Sequence, residues 1–595
     1  MKLLDEKTEI GRALRLFKGT FITVGVFSAI INLLMLVPSL YMLQVYDRVL
    51  ASRNEITLLM LTLIMLGAYL FMGGLDVIRS FILVRVGARF DMMMNKRVYT
   101  ASFEQNLKQS GANAGQALND LTTLRQFLTG NALFAFFDAP WFPIYLAVIF
   151  MFDPMLGLFA LFGTIILVIL AVVNERITKK PLGEANTMAI SASTLATNNL
   201  RNAEVIESMG MLPNLMSRWF KLHGKFLNLQ ADASQKAGSV GAATKFVQTS
   251  MQSLVLGLGA LLVLEHKITP GMMIAASILL GRTLQPVQQV IGVWKSWATT
   301  RSAHERLTKL LETNPKREAG MALPKPTGML TLEGVTASPP GMRNPIVKNV
   351  SFGILPGDVL GVIGPSGSGK STLARLLVGV WPAMMGKVRL DGADIYSWNK
   401  AELGPHMGYL PQDIELFGGT VSENIARFGE VDPEKVVEAA KRAGVHDMIL
   451  HFPEGYDTQL GDGGGGLSGG QKQRLGLARA MYGDPALIVL DEPNSNLDDA
   501  GEQALVVAVN DLRQRGKTII LITHRTSIIS VTTKLLLIRD GSVQMFGPTQ
   551  QVLTALQEVN TKALQAAQQA QAQAQAQSQA QMQQSGTPAN AGTGE

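Results

Sequence analysis

Cysteine is absent from the 595-residue chain. That excludes disulfides, thiolate metal sites and cysteine nucleophiles. Charge is scarce too: Asp, Glu, Lys and Arg make up 17% of residues, against 47% hydrophobic, an apolar balance for a soluble protein. The N-terminus lacks a short apolar core followed by a small-residue cleavage site. Residues 1–18 mix five basic side chains with Asp5, Glu6 and Glu9, so no removable signal peptide is expected. The net charge of +7 raises nucleic acid as a partner. The basic residues flank apolar runs, however, as on cytoplasmic loops of membrane proteins, so no nucleic-acid partner is expected. The length exceeds what one core supports, so two or more domains are expected.

The apolar residues are concentrated in the first half. About 20 of them span a bilayer as helix, and six such runs are present, near 21–42, 56–75, 132–152, 155–173, 246–264 and 272–293. Arg79, Arg85, Arg89, Lys96 and Arg97 lie between the second and third. Arg176, Lys179, Lys180, Arg201 and Arg218 lie between the fourth and fifth. The positive-inside rule places these long segments and both termini in the cytoplasm. The segments look amphipathic, so six transmembrane helices with long cytoplasmic extensions are expected. Asp138, and Arg282, Gln285, Gln288 and Gln289 around Pro286, fall in or near spans. They read equally as a polar transport path or as helix-to-helix hydrogen bonding.

Composition changes after Trp297. The expected organisation is a transmembrane domain over 1–312, a Pro-containing linker over 313–329, and an α/β domain over 330–556. A Gln/Ala-rich low-complexity tail over 557–595 completes it, with nothing from which to build a core.

The α/β domain carries Gly364-Pro365-Ser366-Gly367-Ser368-Gly369-Lys370-Ser371, which fits the phosphate-binding pattern G-x-x-x-x-G-K-[ST]. An apolar strand, 359–363, runs into it, and a helix beginning near Thr372 leaves it. The glycines let backbone N–H groups face an anion, and the helix start adds positive dipole. Lys370 would reach the β- and γ-phosphates, and Ser371 would ligate Mg²⁺. A second strand, 486–490, should lie beside this loop and ends in Asp491-Glu492. Asp491 would hold Mg²⁺, directly or through water, and Glu492 would act as general base on the attacking water.

Between these motifs stands Leu467-Ser468-Gly469-Gly470-Gln471, followed by a helix. With the phosphate loop and the Asp-Glu strand, it resembles the signature of ATP-binding cassette proteins, implying an α/β P-loop cassette. The resemblance assigns Ser468, Gly469, Gly470 and Gln471 to the γ-phosphate of ATP held by a second cassette. It makes Gln412 the Gln-loop residue near Mg²⁺ or water, His524 the switch histidine on the γ-phosphate, and Asp498 part of the loop crossing the dimer. The family usually stacks an aromatic on adenine about 25 positions before the phosphate loop. Here that stretch is Val335-Thr336-Ala337-Ser338-Pro339-Pro340, without an aromatic, so Pro339 or Pro340 is the available apolar face.

One loop and one signature per chain imply a homodimer with two ATPs, and six spans before one cassette is the order of a half-size exporter. Segments 106–115 and 202–210 are the expected coupling helices. Residues 43–50, Leu-Gln-Val-Tyr-Asp-Arg-Val-Leu, and 138–145, Asp-Ala-Pro-Trp-Phe-Pro-Ile-Tyr, look like those of type I secretion exporters, above all the subgroup exporting proteases and lipases. That resemblance implies a bacterial inner-membrane location, a membrane-fusion protein and an outer-membrane duct as partners, and unfolded protein cargo with a C-terminal signal. The absence of a cysteine-protease domain before the spans disfavours leader-cleaving bacteriocin exporters. A lipid or small-molecule exporter with the same ATPase remains the alternative. A soluble macromolecule-directed ATPase is opposed by the six apolar runs.

Overall fold

The computed structural model describes residues 7–108, 114–316, 321–342, 344–461, 463–558 and 561. Nearly all of the Gln/Ala tail and part of the 106–115 segment lie outside them. Apart from Leu107–Gln109, the chain divides into two compact units between positions 317 and 318.

The first unit is helical. Glu55–Lys108, Pro154–Arg201 and Leu212–Leu264 run for 54, 48 and 53 residues. At 1.5 Å per residue each exceeds about 70 Å, more than twice the hydrocarbon thickness of a bilayer. Their starts are written locally: Asp153 accepts from the Met155 amide and Pro154 takes the first helical position, the favoured cap chemistry. Among the described residues, five segments are long and apolar enough to cross a membrane: Lys18–Ser52, Glu55–Lys108, Ala132–Phe152, Pro154–Arg201 and Leu212–Leu264. The expected sixth span lies within helix Pro270–Thr313 but is less apolar than these. Its Ala276, Leu279, Leu280 and Leu284 are buried, packed in one cluster with Tyr145, Ile149, Leu156, Leu167, Met251 and Leu262. A helix so enclosed by protein does not need an apolar surface all round. The segment 202–210 contains a short helix, Ala203–Ser208.

Among the polar ties that hold this bundle, two involve Asp138 and Asp47. Asp138 accepts from Asn32 Nδ2 at 2.9 Å and pairs with Arg79 at 3.2 Å. Arg79, 5% exposed, also donates to Ser28 and Asp76 and lies 4.0 Å over the Phe134 ring. The Tyr145 hydroxyl donates to Asn32 at 2.8 and 2.9 Å. Asp138 therefore serves inter-helix hydrogen bonding, since Arg79 balances its charge and its Oδ1 takes both bonds. The second tie is Asp47, in a π-helical turn over Val45–Val49. Its carboxylate accepts from Thr269 Oγ1 and, at 2.8 Å, from the Gly271 amide at the start of helix Pro270–Thr313. A Cβ on Gly271 would sit 2.5 Å from Asp47 Oδ1, so only glycine admits this approach.

The second unit contains two main sheets. One is antiparallel, ordered Val347–Ile354, Leu330–Ala337, Met385–Leu390, Ala393–Asp394. The other is ordered Ser542–Pro548, Lys534–Arg539, Val359–Ile363, Thr518–Ile522, Leu487–Asp491, Met407–Leu410, parallel except for the first strand. Thr518–Ile522 and Leu487–Asp491 are buried at every position, as expected where both faces of a parallel sheet are covered.

Arg427 anchors the neighbouring helical segments. Its guanidinium donates to the carbonyls of Gly404, Met407, Arg479, Ala480 and Tyr482 at 2.8–3.2 Å. Burial, with the nearby Arg479 charge adding to it, lowers its pKa to about 10. Replacing it by Met strands several buried acceptors, each worth about 1–3 kcal/mol. Arg427→Met should thus lower the thermal unfolding midpoint of the purified protein by about 6 °C or more, and Arg427→Lys, lacking the planar fork, should recover only part of it. An unchanged midpoint would contradict this role.

Candidate functional site

In the larger sheet, register sets the site. Val362 is level with Ile522, Ile522 with Asp491, and Leu490 with Leu410. The loops after four parallel strands therefore emerge along one edge, where ligands bind in open α/β sheets. They carry the phosphate loop, Asp491-Glu492, His524 and Gln412. The carboxylate strand ends beside the phosphate loop, Asp491 bonding Ser371, although Thr518–Ile522 lies between it and the strand that enters the loop. The intervening strand contributes His524 just beyond its end.

The phosphate loop needs glycine at defined points. Gly364, Gly367 and Gly369 have φ of 156°, 79° and 97°, conformations that favour glycine. A Cβ on Gly364 would lie 2.1 Å from the Ile538 carbonyl oxygen. Pro365 and Ser366 form the exposed tip, while Ser368, Lys370 and Thr372 are buried. Helix Lys370–Leu377 starts without a side-chain cap, which leaves its first amides for an anion. Lys370 Nζ donates to the carbonyls of Gly364 and Pro365 at 2.8 and 2.9 Å. Burial pushes its pKa down, against the opposing pull of Glu492 and Asp491.

Asp491 is 2% exposed. Burial pushes its pKa up, a hydrogen bond with Ser371 opposes this, and the Glu492 charge adds to the rise. Its Oδ1 is buried without a hydrogen-bond partner, which suits a cation ligand. Among the described residues no three His, Cys, Asp or Glu gather into a metal cage. Mg²⁺ usually takes one or two protein carboxylates and completes its shell with water and substrate phosphates.

Glu492 stands in the left-handed region at φ 50°, a costly conformation for this residue type. Its amide donates to the Ile522 carbonyl at 2.9 Å. Gln412 Nε2 donates to Glu492 Oε2 at 3.1 Å, and His524 Nε2 lies 3.9 Å from Oε1, beyond hydrogen-bond length. Gln412, Glu492 and His524, drawn from three loops, therefore meet beside Asp491 and Lys370.

The signature segment is arranged separately. Ser468 caps helix Gly469–Met481 in a reciprocal box: its Oγ accepts from the Gln471 amide at 3.3 Å and Gln471 Oε1 accepts from its amide at 2.8 Å. The Ser468 O–H stays free to donate, because its role in the box is as acceptor. Gly469 and Gly470 pack against Asn496, and a Cβ on Gly470 would approach the Asn496 carbonyl oxygen to 2.7 Å. Asp498 caps helix Asp499–Gln514 and pairs with Arg474. The Gly501 amide and then Arg474 hold its pKa below the ordinary carboxylate value. Among the described residues no hydrogen bond joins the signature segment to the phosphate loop.

Two site residues escaped the sequence reading. Ile346 packs on the phosphate loop, its Cγ2 3.1 Å from where a Gly369 Cβ would be. The half-buried Pro339 and Pro340 sit in a turn closed by Met342 N to Pro339 O at 3.1 Å. Gln473 is the other. It looked like one more polar residue of a helix, and nothing in the local pattern marks it as buried.

Both halves of the chain match known families. The ABC transporter transmembrane region matches residues 21–287 and the ABC transporter family residues 347–495. The chain is 45% identical over 543 residues to the type I secretion system ATP-binding protein PrsD of Rhizobium meliloti, covering 91% of this chain and 93% of that one. It is 29% identical to the cyclolysin secretion/processing ATP-binding protein CyaB of Bordetella pertussis, covering 89% and 75%, respectively. It is 28% identical to the alpha-hemolysin translocation ATP-binding protein HlyB of Escherichia coli O157:H7, covering 90% and 77%. A bacterial Atm1-family ABC exporter with ATP bound has the same fold, with a TM-score of 0.78 at 23% identity over 91% of this chain and 97% of that one. The chain belongs to the ABC transporters, carrying a transmembrane domain and a nucleotide-binding domain in one polypeptide and coupling ATP hydrolysis to transport.

Proposed function

We propose that the protein is the ATP-driven exporter of a bacterial type I secretion system, moving an unfolded protein with a C-terminal signal across the inner membrane. The observation that carries this reading is the 45% identity to a type I secretion protein, spanning membrane and ATPase halves alike. The cargo is of the protease/lipase or Gly/Asp-repeat type. The partners are a membrane-fusion protein and an outer-membrane duct, and both termini and the nucleotide domain are cytoplasmic.

Two copies form the working unit. Residues 364–372 of one copy hold ATP, Lys370 meeting the β- and γ-phosphates. Ser468 to Gln471 and Asp498 of the other copy close over it. Ser371, Asp491 and Gln412 would hold Mg²⁺, which would supply neutralisation of the phosphate charge. Glu492 takes a proton from water, whose oxygen attacks the γ-phosphorus as the bond to ADP breaks. Gln412 orients the Glu492 carboxylate, and His524 donates to a γ-phosphate oxygen. The γ-phosphate contacts exist with ATP and vanish with ADP, so they supply the differential binding that moves the spans. The short helix Ala203–Ser208 and the 106–115 segment transmit that movement, and 313–329 links the spans (1–312) to the cassette (330–556).

The test is the protein content of the medium from cells lacking the gene. Loss of one or more polypeptides without N-terminal signals, restored by the intact gene, is expected. An unchanged medium accompanied by altered membrane lipid would favour the lipid-exporter alternative.

A further inference from the structure

The helix headed by the signature segment also reaches the hydrolytic carboxylate. Gln473, 1% exposed, sits one turn into helix Gly469–Met481. Its Nε2 donates to the Glu492 carbonyl at 3.1 Å. Its Oε1 accepts from the Asn496 amide at 2.9 Å and from Ser495 Oγ at 3.4 Å. One buried amide thus joins the signature helix, the residue after the metal-binding aspartate, and the loop leading to Asp498. Glu492 needs such support. Its backbone is held in the left-handed region, which persists only where the surroundings enforce it. Its amide is fixed by Ile522, and its carbonyl accepts from Ser495 N at 3.2 Å as well as from Gln473.

We propose that Gln473 is a positioning residue for hydrolysis: it fixes the Glu492 backbone, and so the aim of that carboxylate, relative to the signature helix. The proposal rests on Glu492 being the general base. Under the two-copy arrangement Ser468 serves one ATP while Glu492 serves the other, so Gln473 connects the two sites through a single side chain.

Gln473→Glu keeps the acceptor for Asn496 and Ser495 but removes the donor to Glu492, while Gln473→Leu removes both at similar size. ATP turnover of the full chain in lipid nanodiscs should fall about tenfold in Gln473→Glu, equivalent to about 1.4 kcal/mol, the worth of one hydrogen bond. KM should stay within about twofold, because nothing that touches ATP changes. Gln473→Leu should fall further. In the Glu492→Gln background, Gln473→Glu should cause no additional loss, since residues acting as a unit are not additive. Unchanged kcat, a parallel rise in KM, or an undiminished tenfold loss in that background would overturn the proposal. Substantial activity in Glu492→Gln alone would instead overturn the general-base reading beneath it.

Discussion

Glu492→Gln lowers ATP turnover by about 10²–10⁴-fold, the usual worth of a general base, while ATP stays bound. The substitution is nearly isosteric. Its amide oxygen can still accept from Gln412 Nε2, which reaches Glu492 Oε2 at 3.1 Å, and the backbone bond to Ile522 does not depend on the side chain. What disappears is the proton acceptor and a negative charge near Asp491, whose ionisation that charge already disfavours. Removing it eases repulsion of the triphosphate, so ATP binds at least as tightly as before. Because ATP then persists, the two-copy closed state accumulates. Turnover and ATP-dependent cross-linking of two copies measure the two halves of this expectation. Hydrolysis within twofold of the parent protein would remove Glu492 from the role of base.

Lys370→Ala produces the opposite signature. Its ammonium is buried at the foot of the phosphate loop, bridging the carbonyls of Gly364 and Pro365. It is a positive charge set against Asp491 and Glu492, beside that of Arg375. Without it the loop presents those carboxylates to a polyanion with less compensation. A charged hydrogen bond is worth about 1.5–3 kcal/mol, so ATP affinity should drop about 10- to 100-fold, and turnover and export should be lost. No closed two-copy state should build up at ATP levels that trap Glu492→Gln. Normal secretion by Lys370→Ala in cells lacking the native gene would contradict the assignment of the loop.

The parts legible in the sequence are those whose physics is local. A glycine-rich turn between an apolar strand and a helix, an Asp-Glu pair ending a five-residue apolar run, and Ser468 three residues before Gln471 each specify their own geometry. The long helices were legible for the same reason, being continuous apolar runs with amphipathic continuations. What could not be read were pairings across distance. Arg79 and Asp138 are separated by 59 positions, and no periodicity says that they meet. Strand order is likewise a property of crossovers, so the strand between the two phosphate-site strands was invisible locally. The sixth span is the least clearly written of the six, because burial against other helices takes the place of apolar content. Its small and apolar residues face other helices, and its Arg and Gln residues dilute the rest.

The clasp between Asp47 and the Thr269–Gly271 turn joins residues more than 220 positions apart. It therefore dictates an order of biogenesis. As the nascent chain leaves the ribosome, the first hairpin inserts with its aspartate unmatched, and three further spans follow before its counterpart is made. Only then does the last helix acquire its N-terminal lock. Products truncated before that point keep the Asp47 carboxylate but lack its two donors, so the first hairpin has nothing at that end to close upon.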